Sequence, residues 1–171
     1  MIFADRRRRD GWPLRAALAV ALTIAASAAH AFTGKVIGIA DGDTLTVLDR
    51  QRPVRIRLAD IDAPESGQPF GHRAKESLSE LAFGKQAEVA TRGHDSYGRV
   101  LGRVRVEGVD LNAEQVRRGY AWVFRRFTND PALIALEGEA RAARRGLWAG
   151  RAPVPPWTWR DRHSPDKREP T

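Results

Sequence analysis

The sequence predicts an α+β domain, a five-stranded β-barrel carrying three helices in the order β-β-β-α-β-β-α-α. Three observations predict it. Apolar residues alternate with a period of two over five short runs, helical periodicity appears once after the third run and twice after the fifth, and Gly, Pro or Asp punctuates the joins. The composition suits such a domain: 171 residues, 42% hydrophobic and 29% charged, are enough to bury a core and exclude wholesale disorder. The absence of cysteine excludes a disulfide scaffold and a thiolate-ligated metal. A formal net charge of +8 favours an anionic partner, nucleic acid or anionic lipid, without constraining the chemistry.

The chain opens with Arg6, Arg7, Arg8, Arg9 and Arg15 around an apolar stretch from Ala16 to Ala29. That stretch is too short to span a hydrocarbon core of about 30 Å as a helix. With Ala29 and Ala31 bracketing His30, it reads as a signal peptide cleaved after Ala31, which predicts a secreted or periplasmic protein beginning at Phe32. Such cleavage removes five arginines and two aspartates and leaves a basic chain.

The domain then follows over residues 32–150. Strand-like runs occur at Val36–Ile39, Leu45–Leu48 and Val54–Leu58, with Asp41-Gly42 as a hairpin signal and a polar loop, 49–53, before the third. In Val54-Arg55-Ile56-Arg57-Leu58 the period of two sets the arginines opposite the aliphatics. A loop, 63–69, leads into a helix over Phe70–Phe83, with Ala74, Leu78, Leu81 and Ala82 at helical spacing and Gly84 as the stop. Strands are predicted at Gln86–Arg92 and Arg99–Val106, joined by a turn at 93–98. Helices over Leu111–Arg118 and Pro131–Arg145 complete the order, the second behind Asp130 as N-cap with proline at the first helical position. Residues 151–171 are proline-rich and charged and read as a tail, with Trp157 and Trp159 able to lie back on the body. Five short strands with one helix after the third match the layout of an OB-fold barrel.

Carboxylates gather near the ends of the first three strands: Asp43 after the hairpin turn, Asp60 and Asp62 two apart, and Glu65 beyond Pro64. Hard oxygen donors of this kind suit calcium, magnesium or manganese. Spacing does not choose between Asp60 and Asp62, and each acid also has an ordinary reading as a turn or loop residue. Arg57, opposite Ile56 and Leu58, and Arg99, after a Tyr97-Gly98 turn, are forked donors able to neutralise charge on a phosphoryl group. His72 and His94 lack a second histidine at helical spacing and read as surface residues. Trp122 and Trp148 read as core or clamp residues.

Taken in order, Asp41-Gly42-Asp43-Thr44, the run Arg57-Leu58-Ala59-Asp60-Ile61-Asp62-Ala63-Pro64-Glu65, and Tyr97-Gly98-Arg99 resemble the three motifs of the thermonuclease, or staphylococcal-nuclease-like, family. The resemblance covers about Phe32 to Trp148 and includes a late Gly146-Leu147-Trp148. It implies a calcium-dependent endonuclease that hydrolyses DNA and RNA, with single-stranded or denatured forms favoured, and leaves 3′-phosphate ends. Residue by residue, it implies that Asp43, Asp62 and the backbone carbonyl of Ala63 hold Ca2+, that Glu65 orients or deprotonates the attacking water, and that Arg57 and Arg99 clamp the scissile phosphate. Tyr97, Phe124 and Phe127 would contact the substrate. The family's paired tyrosines are replaced here by Phe124, Arg125 and Phe127, which offer stacking surfaces without a hydroxyl. Asp60 stands where many relatives have glycine and is expected not to be a ligand. No stable membrane association after cleavage and no obligate protein partner are expected. The competing readings are a non-catalytic OB-fold module that binds nucleic acid and a basic envelope-associated protein; neither needs the set Asp43, Asp62 and Glu65.

Overall fold

Residues 31–163 are described in the computed structural model of the chain, and the expected leader, apart from Ala31, lies outside them. β1 (Ala31–Ile39), β2 (Thr44–Asp49) and β3 (Arg52–Leu58) form an antiparallel meander in which Thr44 pairs with Arg57. The chain then passes through the two-residue β4 (Ile61–Asp62) and helix α1 (Gly71–Ala82). β5 (Gln86–His94) returns antiparallel to β1, and β6 (Val100–Val106) runs antiparallel to β5. Closure comes from a parallel pairing of β6 with β3, Ile56 beside Val100 and Leu58 beside Gly102. The expected five-stranded barrel is therefore formed.

The alternation expected along β3 holds: Ile56 and Leu58 are fully buried while Arg55 is exposed and Arg57 only partly covered. With Val36, Leu45, Val47, Val89 and Val104 they fill the barrel, each side chain worth about 1.5–3 kcal/mol when buried. α1 closes one end with Ala74, Ser77, Leu78 and Ala82, one face of a 3.6-residue period. It stops at Gly84, whose φ of +79° is open to glycine without strain.

β7 (Val109–Asp110) leads into α2 (Leu111–Arg117), which starts where Asp110 accepts a hydrogen bond from the Ala113 amide. β8 (Trp122–Val123) then pairs with β4, Ile61 opposite Val123 and Asp62 opposite Trp122. α3 (Pro131–Ala142) begins as expected, with Asp130 accepting from the Ala132 amide. It ends three residues before the expected Arg145, because Arg144 turns left-handed (φ 52°) and a 3-10 turn, Gly146–Ala149, follows. Trp122 and Trp148 meet edge to face at 5.0 Å in a second small core, matching their reading as packing residues.

Three helices were expected, and the described residues hold four α-helices. The segment read as a tail carries α4 (Pro156–His163). Its Trp157 packs against the second core, and Gln68 donates to the Val154 carbonyl at 2.5 Å just ahead of it. An eight-residue helix has too little intrinsic stability for local sequence to reveal, and tertiary contacts hold it.

Candidate active site

Arg57 leaves β3 on the face away from the core and reaches two acids at once. Nη1 donates to Asp43 Oδ1 and Nη2 to Asp62 Oδ1, each at 2.7 Å. Asp43 is 2% exposed and Asp62 0%, so neither has water to replace those bonds. Asp43 also accepts from the Thr44 hydroxyl at 3.0 Å and, through Oδ2, from the Ala63 amide at 2.7 Å. Residues from the first and second motifs thereby form one bonded unit.

The backbone that presents these acids is fastened from below. Asp41 Oδ1 accepts from the Asp43 amide, which shapes the turn between β1 and β2. Gly42 is required there for close packing: a Cβ would lie 2.6 Å from that of Ala74 and 2.8 Å from that of Ala63. Buried Gln115 donates to the carbonyls of Gly42 and Ala74 and accepts from Ser77, tying that turn to α1 and α2. Buried Asn112 donates to the carbonyls of Ala59 and Gly102 and accepts from the Val104 amide, locking the end of β3 to β6. Neither amide was singled out in the sequence. A lone Gln or Asn on a short helix carries no local mark of burial.

The electrostatics follow from this burial. Loss of hydration pushes Asp43 up to about 7, with Asp41 and Asp62 adding to the rise, while Arg57 and the Ala63 amide oppose it. Burial alone would lower Arg57, but its bonds to Asp43 and Asp62 outweigh that and raise it. Arg57 is shared between both acids and is the one basic partner of Asp43 among the described residues, so Asp43 is left short of positive charge and the site favours a further cation.

Glu65 stands at the rim, 39% exposed along its side chain. Its loop is tight. The Gln68 amide donates to the Glu65 carbonyl, Gln68 Oε1 accepts from the Glu65 amide, and a Cβ on Gly71 would run into that carbonyl. The residue that sequence reasoning missed here is Arg160 of α4. Its Nη1 donates to Glu65 Oε1 at 2.6 Å and its Nη2 to Asp62 Oδ2 at 2.7 Å. Burial would lower the Arg160 guanidinium, but its bonds to Asp62 and Glu65 raise it well above its ordinary value.

Arg99 enters from the turn between β5 and β6. Nε donates to Asp95 Oδ2 at 2.7 Å, Nη1 lies 3.4 Å from the Thr44 hydroxyl, and the guanidinium lies 5.5 Å from the centre of the Tyr97 ring. Tyr97 is 83% exposed and Phe127 69%. Phe124 meets Phe127 edge to face at 4.8 Å, and its own face is covered by Trp157, stacked at 5.3 Å with planes 3° apart. Tyr97, Phe124, Phe127, the two motif arginines, Asp43 and Glu65 line one cleft of about 950 Å3.

Asp60 and Asp62, alike by spacing, have different surroundings: Asp62 is buried against Arg57, and Asp60 lines the cleft. Asp60 points to Arg92, 2.6 Å away, and has a φ of +70°, a conformation that suits glycine at this position. His72 is exposed beside Glu76, and His94 is exposed at the cleft edge.

The donor set fits a hard divalent cation: the buried carboxylates Asp43 and Asp62, with Glu65 nearby, are three acids bonded to only two arginines, Arg57 and Arg160. Among the described residues no three His, Cys, Asp or Glu side chains gather as ready ligands. A cation here would rest on Asp43 and Asp62, with backbone oxygen and water completing its shell. No helix among the described residues is long and apolar enough to cross a membrane.

A closed barrel with a cleft of buried acids and forked arginines at its rim defines a hydrolase suited to anionic esters. A family model described as staphylococcal nuclease homologue matches residues 55–150. Among similar proteins, an uncharacterized endonuclease of Escherichia coli is 45% identical over 130 residues, 75% of this chain and 85% of that protein. A micrococcal nuclease of Shigella flexneri is 42% identical over 155 residues, 84% of this chain and 89% of that protein. Protein ParB of Escherichia coli is 42% identical over 175 residues, 95% of this chain and 98% of that protein. The chain belongs to the staphylococcal nuclease family and is a nuclease-type hydrolase whose substrate is nucleic acid.

Proposed function

We propose that this protein is an exported, calcium-dependent endonuclease that cuts DNA and RNA between phosphorus and the 5′ oxygen, leaving 3′-phosphate ends. The observation that carries the reading is Arg57 bridging two buried acids in a cleft that also holds Glu65 and Arg99. A pure binding module gains nothing from buried acids beside a phosphate.

Glu65 takes a proton from the attacking water, or orients it, while Arg57 and Arg99 neutralise charge building on the non-bridging oxygens. The 5′ oxygen leaves with a proton from solvent. Asp43, Asp62 and the Ala63 carbonyl would hold calcium, which supplies Lewis-acid polarisation of the phosphoryl oxygen when bound. Tyr97 and Phe127, both exposed at the rim, offer ring faces to unstacked bases, which favours single-stranded or denatured substrate. Export rests on the arginine-rich opening and the short apolar stretch before Ala31.

The test is release of acid-soluble nucleotides from denatured DNA, with calcium and then with excess chelator. Release is expected with calcium alone, bearing 3′-phosphate ends by end-group analysis. Glu65→Gln is expected to lower turnover about 10²- to 10⁴-fold while sparing oligonucleotide binding. Binding without release under either condition favours the non-catalytic module instead.

A further inference from the structure

We propose that Arg160, delivered by the C-terminal helix α4, is a positioning residue of the hydrolytic site that holds the Glu65 carboxylate against buried Asp62. The inference rests on the reading of Glu65 as the group that handles the attacking water.

Glu65 lies on a loop at the rim and has three rotatable side-chain torsions. Among the described residues, Arg160 is the one side-chain partner of its carboxylate, at 2.6 Å. The same guanidinium takes Asp62 with both arms, Nη2 to Oδ2 at 2.7 Å and Nη1 to Oδ1 at 3.2 Å. Asp62 is in turn fixed by Arg57 and by its place in β4. A continuous chain of charge-assisted bonds, Arg57 to Asp62 to Arg160 to Glu65, connects the exposed acid to the barrel wall.

The helix carrying Arg160 is seated independently of these bonds. Pro156 is buried, Trp157 lies flat on Phe124, and Gln68, from the loop of Glu65 itself, holds the Val154 carbonyl. The guanidinium therefore approaches from a set direction. Because it takes Oε1 of Glu65, Oε2 is left for water, and the geometry of that oxygen is set before substrate arrives. A lysine could not do the same, since a single ammonium lacks the planar fork that spans both acids.

The experiment compares Arg160→Ala and Arg160→Lys with the full chain, alone and combined with Glu65→Gln, measuring kcat and KM on denatured DNA. Arg160→Ala is expected to lower kcat about 10- to 100-fold, with KM within about threefold and a lowered melting temperature, since the buried Asp62 Oδ2 loses its partner. Arg160→Lys should recover part of the loss. In the Glu65→Gln background, adding Arg160→Ala should change the residual turnover less than about twofold, because the group it positions is already disabled. If Arg160→Ala loosens α4, seen as a change in the near-ultraviolet signal of its tryptophans, Arg160→Gln replaces it in the same cycle. Unchanged kcat overturns the proposal, as does a loss confined to KM or an equal loss in the Glu65→Gln background. Full turnover in Glu65→Gln alone would instead overturn the reading of Glu65 itself.

Discussion

Arg57 and Arg99 line the same cleft and are held in opposite ways. Arg57 sits on a central barrel strand, flanked by β2 and β6, with both arms on acids that water cannot reach. Arg99 sits at the edge of a turn, and its ion pair is with Asp95, four residues back and itself partly exposed. The first arginine belongs to the fold as much as to the chemistry. The second can exchange Asp95 for a phosphate at little cost to the fold.

The largest expected effect is at Arg57. Arg57→Ala strands buried Asp43 and takes from buried Asp62 one of its two arginines, and urea unfolding should show a loss of about 3–5 kcal/mol together with a fall in kcat of about 10²- to 10³-fold or more. A variant that keeps full stability would break the contrast at its stronger end. Arg99→Ala should separate the two quantities. Its kcat should fall about 10²-fold while stability stays within about 1 kcal/mol, a combination read from the same two assays.

The smallest effect is expected at Asp95. Burial alone would raise this acid, but its bonds to Arg99 and to the amides of Arg99 and Tyr97 hold it below the ordinary aspartate range. A lowered acid stabilises the fold above its unfolded pKa, and that contribution fades as pH falls through the lowered value. Asp95→Asn should therefore be slightly less stable near neutrality, by under about 1 kcal/mol, and should converge with the parent in acid. Melting curves across pH would sharpen the contrast if the two failed to converge.

Much of this was legible in the sequence, for reasons that can be named. The alternation in β3 put Arg57 on the far side from Ile56 and Leu58, and the three motifs carried Asp43, Glu65 and Arg99 to a single cleft, with Asp62 buried behind Arg57. The helix start at Asp130 followed the chemistry of side-chain capping. What was not legible depends on contacts between distant segments. Asp60 and Asp62 are equivalent by spacing, and the left-handed turn at Asp60 and its pairing with Arg92 come from contacts that spacing does not show. Gln115 and Asn112 look like ordinary helix polar residues until the barrel brings carbonyls to them. The helix from Pro156 to His163 follows a proline-rich run that by composition reads as linker, and the partners that hold it lie far back in the chain.

That distance also bears on how the molecule is completed in time. The bonds from Arg160 to Asp62 and Glu65 span 98 and 95 positions, and the bond from Gln68 to the Val154 carbonyl spans 86. Every such loop loses chain entropy before its contact forms, so these are slow closures compared with the hairpins of the barrel. A ribosome delivers the barrel strands before α4. A chain halted at residue 150 would have the eight strands of the described residues but one open wall in its cleft, so the cleft is closed only once α4 has been made and has folded back.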